Sequence, residues 1–219
     1  MTFRNSQIIP MSPEELVGVA IQATGHGDGM HVGLLYVEPE GDCRFVHLAF
    51  HHDLRNELAP NDHGYWWAGC AWLAGEEQLA NAEFLAEYIW ACSQNTDVDY
   101  GFNPPPVAFG IDGKYDALNP SKGLTCATFV ASVLKCGGFP VVRLEEWERR
   151  VEDDAWKQSV LRLLCRFGHQ DRAEQIGHEE IAFRLKPDEA AAAAASQIIP
   201  LGLAQTIAIA EPLKDLLFP

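Results

Sequence analysis

The stretch that decides the fold is His31-Val32-Gly33-Leu34-Leu35-Tyr36-Val37, followed by Pro39-Glu40-Gly41-Asp42 and by Cys43-Arg44-Phe45-Val46-His47-Leu48-Ala49-Phe50. Two alternating apolar runs flank a segment of turn-forming residues. That pattern predicts an antiparallel β-hairpin. Each run carries a histidine: His31 at the mouth of the first, His47 inside the second. With a loop confined to residues 39–42, His47 sits opposite Leu34 and faces away from His31. A loop shifted by one residue, or a bulge, puts His47 opposite Gly33 or Leu35 and on the face of His31. The shared face is the expectation, because a group that orients an imidazole must lie beside it.

Working outward, Ser12-Pro13-Glu14-Glu15 reads as a helix start, with Ser12 as cap and Glu15 completing a capping box. Leu16, Val17, Ala20 and Ile21 then give the predicted helix a short apolar face, and Thr24 to Gly29 ends it. Downstream, Tyr65 to Trp72 is aromatic-rich and short, which suits a third strand. Glu76 to Cys92 reads as a helix, and Asn95 to Ser121 as a long loop with Pro104-Pro105-Pro106. Thr125 to Cys136 reads as a helix capped by Thr125 and stopped by Gly137-Gly138. Leu144 to Phe167 predicts one long or two short helices, Ile181 to Leu185 a short strand, and Pro187-Asp188-Glu189 a helix start running into alanines. Together these predict an α+β fold in one domain, residues 1–219, with a core over about 12–140 and a helical extension over about 141–219.

The chain has 219 residues, a net charge of −15 and a pI near 4.8. A polyanion without a Lys/Arg cluster repels nucleic acid and anionic lipid surfaces, so neither is an expected partner. The first residues show no apolar core of a secretory signal, and no apolar run is long enough to span a bilayer. A cytoplasmic protein with reduced thiols and no membrane anchor is the expectation. None of the six cysteines forms a CxxC pair.

Cys126 opens a predicted helix. A helix N-terminus stabilises a thiolate, and its first N–H groups can hold an oxyanion. His31, at a strand mouth, can project into a cleft as a general base, and His47 can fix its tautomer.

His31-Val32-Gly33-Leu34-Leu35-Tyr36, Phe45-Val46-His47-Leu48 and Leu124-Thr125-Cys126-Ala127-Thr128-Phe129-Val130 together resemble the circularly permuted branch of the NlpC/P60 papain-like superfamily, as in lecithin:retinol acyltransferase-like proteins. Common members run Cys, His, polar residue; here the order is His31, His47, Cys126. The resemblance covers about residues 28–135. It implies a Cys-bearing helix packed on a small antiparallel sheet, and a bacterial-type cysteine hydrolase with Cys126, His31 and His47 as catalytic residues. It also suggests Tyr115, and with it the segment of Tyr100, as substrate-binding. Acyltransferase-like members usually carry Asn-Cys-Glu at the nucleophile and often an anchor. Thr125-Cys126-Ala127 departs from the first, which argues against a lipid acyltransferase.

The expected reaction is cleavage of an amide or isopeptide bond in a peptide or other small molecule through a thioester, with no cofactor. Acyl transfer from the same thioester and a non-catalytic binding protein are the alternatives. A competing metal reading rests on Cys43, His47, His51, His52 and His63, whose spacings match no common zinc pattern.

Overall fold

The computed structural model describes residues 2–5, 15–25, 29–60, 64–116 and 122–218. The predicted hairpin forms. Among the described residues there are five strands: β1 (Val17–Ala23), β2 (Met30–Val37), β3 (Cys43–Phe50), β4 (Asp53–Leu58) and β5 (Trp66–Gly69). They build one antiparallel sheet in the order β4-β3-β2-β1-β5. The described residues also form six α-helices: α1 (Leu79–Ser93), α2 (Cys126–Cys136), α3 (Asp153–Arg166), α4 (Gln170–Gly177), α5 (Pro187–Ala194) and α6 (Leu203–Leu217). The class is α+β.

The sequence reading placed a helix over the first apolar segment, and the structure places β1 there. Val17, Val19 and Ile21 alternate with Gly18 and Ala20, and all three are buried on one face. β-branched residues at period two fit a pleated sheet, and that pattern outweighs the capping signal before it. Ser12, Pro13 and Glu14 lie outside the described residues. β4 was missed because Asp53, Arg55 and Glu57 deprive it of an apolar signal. It is an edge strand, where charge discourages pairing with another chain. The predicted strand at Ile181–Leu185 does not form: Ile181 and Leu185 are buried, but the segment has no ladder partner. From Leu144, only a short 3-10 turn precedes α3.

Strand alternation divides the sheet into two faces. Val19, Ile21, Val32, Leu34, Tyr36, Val46 and Leu48 belong to the main core, which they share with α1, α2 and α5. Ala20, Leu35, Phe45, Ala59 and Trp67 form a small cluster on the other face. α5 contributes Ala190, Ala191, Ala193 and Ala194 to the main core, so the C-terminal segment is part of that core. Alanine lets the helix come close: Trp72 Nε1 donates to the Ala194 carbonyl at 2.9 Å. A third cluster joins α3 and α4 to Phe102.

Candidate active site

The β2–β3 register settles the first geometric question. Leu34 pairs with Val46 and Leu35 with Phe45, so continuing the ladder sets His47 across from Gly33. This is the shifted register, and it puts His47 on the face of His31. His31 Nε2 and His47 Nδ1 are 2.7 Å apart. The ring centroids are 4.8 Å apart and nearly perpendicular. Gly33 makes the space: a Cβ there would sit 2.6 Å from His47 Cβ and 2.7 Å from the Val46 carbonyl oxygen. Phe45 stacks on the other side of His47, with centroids 4.5 Å apart.

The chain of contacts continues. His47 Nε2 lies 3.1 Å from Glu57 Oε1 on β4. With Glu57 ionised, His47 Nε2–H donates to it and His47 Nδ1 is left as an acceptor. His31 Nε2–H then donates to His47, so the remaining lone pair of His31 is on Nδ1. A carboxylate on the edge strand thus assigns the tautomer of a histidine two strands away. Arg55, across from His47, is paired with Asp53 at 2.6 Å. Burial, then His47 and Arg55, lower the pKa of His31 to about 3. Burial also lowers that of His47, while Glu57 opposes the shift. Both imidazoles are therefore neutral at neutral pH. They open on a cavity of about 430 Å³ whose other walls include Gln22, Thr24 and Tyr65. Gln22 donates to the Tyr65 hydroxyl at 2.7 Å.

Cys126 stands where the sequence placed it, at the first position of α2. Thr125 caps the helix by accepting the Thr128 N–H at 3.2 Å, and Thr128 Oγ1 accepts the Thr125 N–H at 2.7 Å. The thiol is partly buried and belongs to the helix side of the sheet. Burial raises its pKa, while backbone N–H groups of Val32, Ala127 and Cys126 itself pull the other way. The sulfur thus lies within reach of the backbone N–H of the residue directly after His31, which donates to it. Among the described residues, no hydrogen bond joins Cys126 to the His31 ring, and Cys126 does not border the imidazole cavity. The structure brings His31 and His47 into contact, and brings Cys126 to the same strand from the opposite face.

Of the two tyrosines, Tyr100 lies near Cys126: burial and the thiol both raise its pKa. Tyr115 instead takes a hydrogen bond from the Asp99 backbone, and its own N–H donates to Asn95 Oδ1 at 2.8 Å. The histidine-rich stretch of the metal reading divides. Cys43 packs with the outer cluster and His47 serves the imidazole pair, while His51 and His52 lie with Asp99. His63 is outside the described residues. Sequence reasoning missed Glu57 and Arg55; the one signal was the alternation of Asp53, Arg55 and Glu57 after a His-His turn.

No helix among the described residues is long and apolar enough to cross a membrane. No family model, no curated protein and no solved structure matches this chain.

Proposed function

We propose that the chain is a thiol hydrolase of the permuted papain-like type, acting on an amide or isopeptide bond. The observation that carries the reading is the His31–His47–Glu57 series, with its 2.7 Å and 3.1 Å links. It presents a neutral imidazole whose free lone pair, on Nδ1, can accept a proton, while burial holds its basicity well below that of an ordinary imidazole. Cys126 is the nucleophile: its proton passes to His31 Nδ1 as the sulfur attacks the carbonyl carbon. The N–H groups at the start of α2 receive the negative charge on oxygen. His31 returns the proton to the leaving amine. Water then adds to the thioester by the reverse sequence and frees the acid. His47 and Glu57 act through His31 as positioning residues. The reaction needs Cys126 and His31 on one face of β2. Because side chains cannot pass through a sheet, it requires the start of β2 to turn over relative to α2. The present arrangement, with Cys126 against the helix-side core and His31 in the outer cavity, counts against the reading.

The second reading is a binding protein that retains the fold. The raised thiol pKa and the open Cys126–His31 gap favour it. Alkylation of each cysteine by iodoacetamide across pH, in wild type and His31→Ala, separates the two. The hydrolase reading expects Cys126 to react fastest, to stay reactive below the ordinary thiol pKa, and to slow in the variant. Equal reactivity of Cys126 and the other cysteines, unchanged by His31→Ala, would favour the binding protein.

A further inference from the structure

A second cluster of donors lies where the β3–β4 turn meets the segment around Asp99. His51 and His52 form that turn. His52 has φ of 54°, a left-handed conformation uncommon for any residue but glycine. Its N–H donates to the Val98 carbonyl at 3.1 Å. Asp99 is held independently, because its carbonyl accepts the Leu124 N–H at 2.8 Å. Two separate pieces of chain thus fix three metal-ligating side chains at one point.

The distances have a chemical meaning. His52 Nε2 lies 3.2 Å from Asp99 Oδ1, and His51 Nδ1 lies 3.9 Å from the same oxygen. One donor atom from each residue falls within 4.8 Å of the other two. A tetrahedral zinc ion with bonds of about 2.0–2.1 Å needs donor-to-donor edges of about 3.3 Å. The two shorter edges are already close to that length, and small side-chain rotations supply the rest. Imidazole nitrogen with one carboxylate is a donor set that suits zinc better than magnesium or calcium.

The geometry points to a divalent zinc site formed by His51, His52 and Asp99. Three protein ligands leave one position for water or a ligand atom, and that side is open to a cavity of about 720 Å³. His51 Nδ1 accepts the Tyr100 N–H at 3.3 Å, so it carries a lone pair; the ion replaces this long bond. Arg172 is the opposing charge. Its guanidinium is engaged by the carbonyls of Tyr100 and Lys122 and by Gln175, and Asp171 and Glu174 border the same cavity. The site is independent of the reading of Cys126. It would brace the β3–β4 turn against the segment that holds Tyr100.

Zinc titration of the full chain tests this, with Co²⁺ absorption as a second probe. One equivalent of zinc should bind, raise the melting temperature and be removed by a chelator. His52→Ala and Asp99→Asn should each lose more than the ~10-fold in affinity typical of an outer partner, with unchanged circular dichroism. Co²⁺ should give tetrahedral bands without a thiolate charge-transfer band. No zinc binding by wild type, equal binding by both variants, or a thiolate band would overturn the proposal.

Discussion

The two faces of the sheet are made by the same strands and obey different rules. On the helix face, Val32, Leu34, Val46 and Leu48 are fully buried among aliphatic neighbours. On the other face the same strands carry His31, Gly33 and His47, joined to Glu57 and bordered by Arg55 and Gln22. The first face contributes through area removed from water, which is tolerant of direction. The second depends on hydrogen bonds, which are not. Gly33 and Leu34 are adjacent in sequence and fall under opposite regimes, so changes at these neighbours should fail in different ways.

The largest effect expected on stability is at Leu34. Leu34→Ala leaves a cavity in a face with no exposure and should cost ~2–5 kcal/mol, seen as a lowered denaturation midpoint, with the His31–His47 pair intact in whatever remains folded. Gly33→Ala adds one methyl against His47 and the Val46 carbonyl. It should cost ~1–3 kcal/mol and also displace His47. A Gly33→Ala protein as stable as wild type, with wild-type Cys126 reactivity, would break the claim that the glycine makes room for the pair.

Glu57→Gln probes the outer face without touching the core. The Glu57 side chain is 53% exposed, so stability should change by less than ~0.5 kcal/mol. On the hydrolase reading, Cys126 alkylation should slow, because an amide no longer selects the His47 tautomer, and Glu57→Asp should recover part of it. Loss of stability without change in reactivity would make Glu57 merely structural.

The last effect is on pH dependence, which separates the two faces without a change of contacts. The pKa of His31 is about 3 in the fold, below its ordinary 6.5. Between those values the unfolded chain binds the extra proton, so this contribution is whole above pH 6.5 and is lost as pH falls toward 3. The slope for one such group is at most ~1.4 kcal/mol per pH unit. His47 shifts in the same direction. His31→Gln should therefore flatten the fall in melting temperature between pH 6 and 4, whereas Leu34→Ala should shift the curve without flattening it.

The two faces also differ in how far they were legible beforehand. The hairpin, the capped start of α2 at Thr125 and the alanine-rich α5 were readable, because each rests on residues a few positions apart. The sequence also limited His47 to a choice of registers. β1 was misread, since a capping motif and a β-branched alternation compete over the same residues and only pairing with β2 and β5 decides between them. Glu57 was invisible because a charged edge strand has no apolar period.

The sequence by itself determined the elements whose signals are local: turn residues, caps, apolar alternation, and a cysteine at a helix start. The tertiary structure decided what depends on pairing at long range. It chose the His47 register, added Glu57 from β4, gathered His51 and His52 with Asp99, and set Cys126 on the face of β2 opposite the imidazoles. The physical reason is that side-chain direction in a sheet flips with every residue, so one step of register, fixed only by the partner strand, decides which groups can meet.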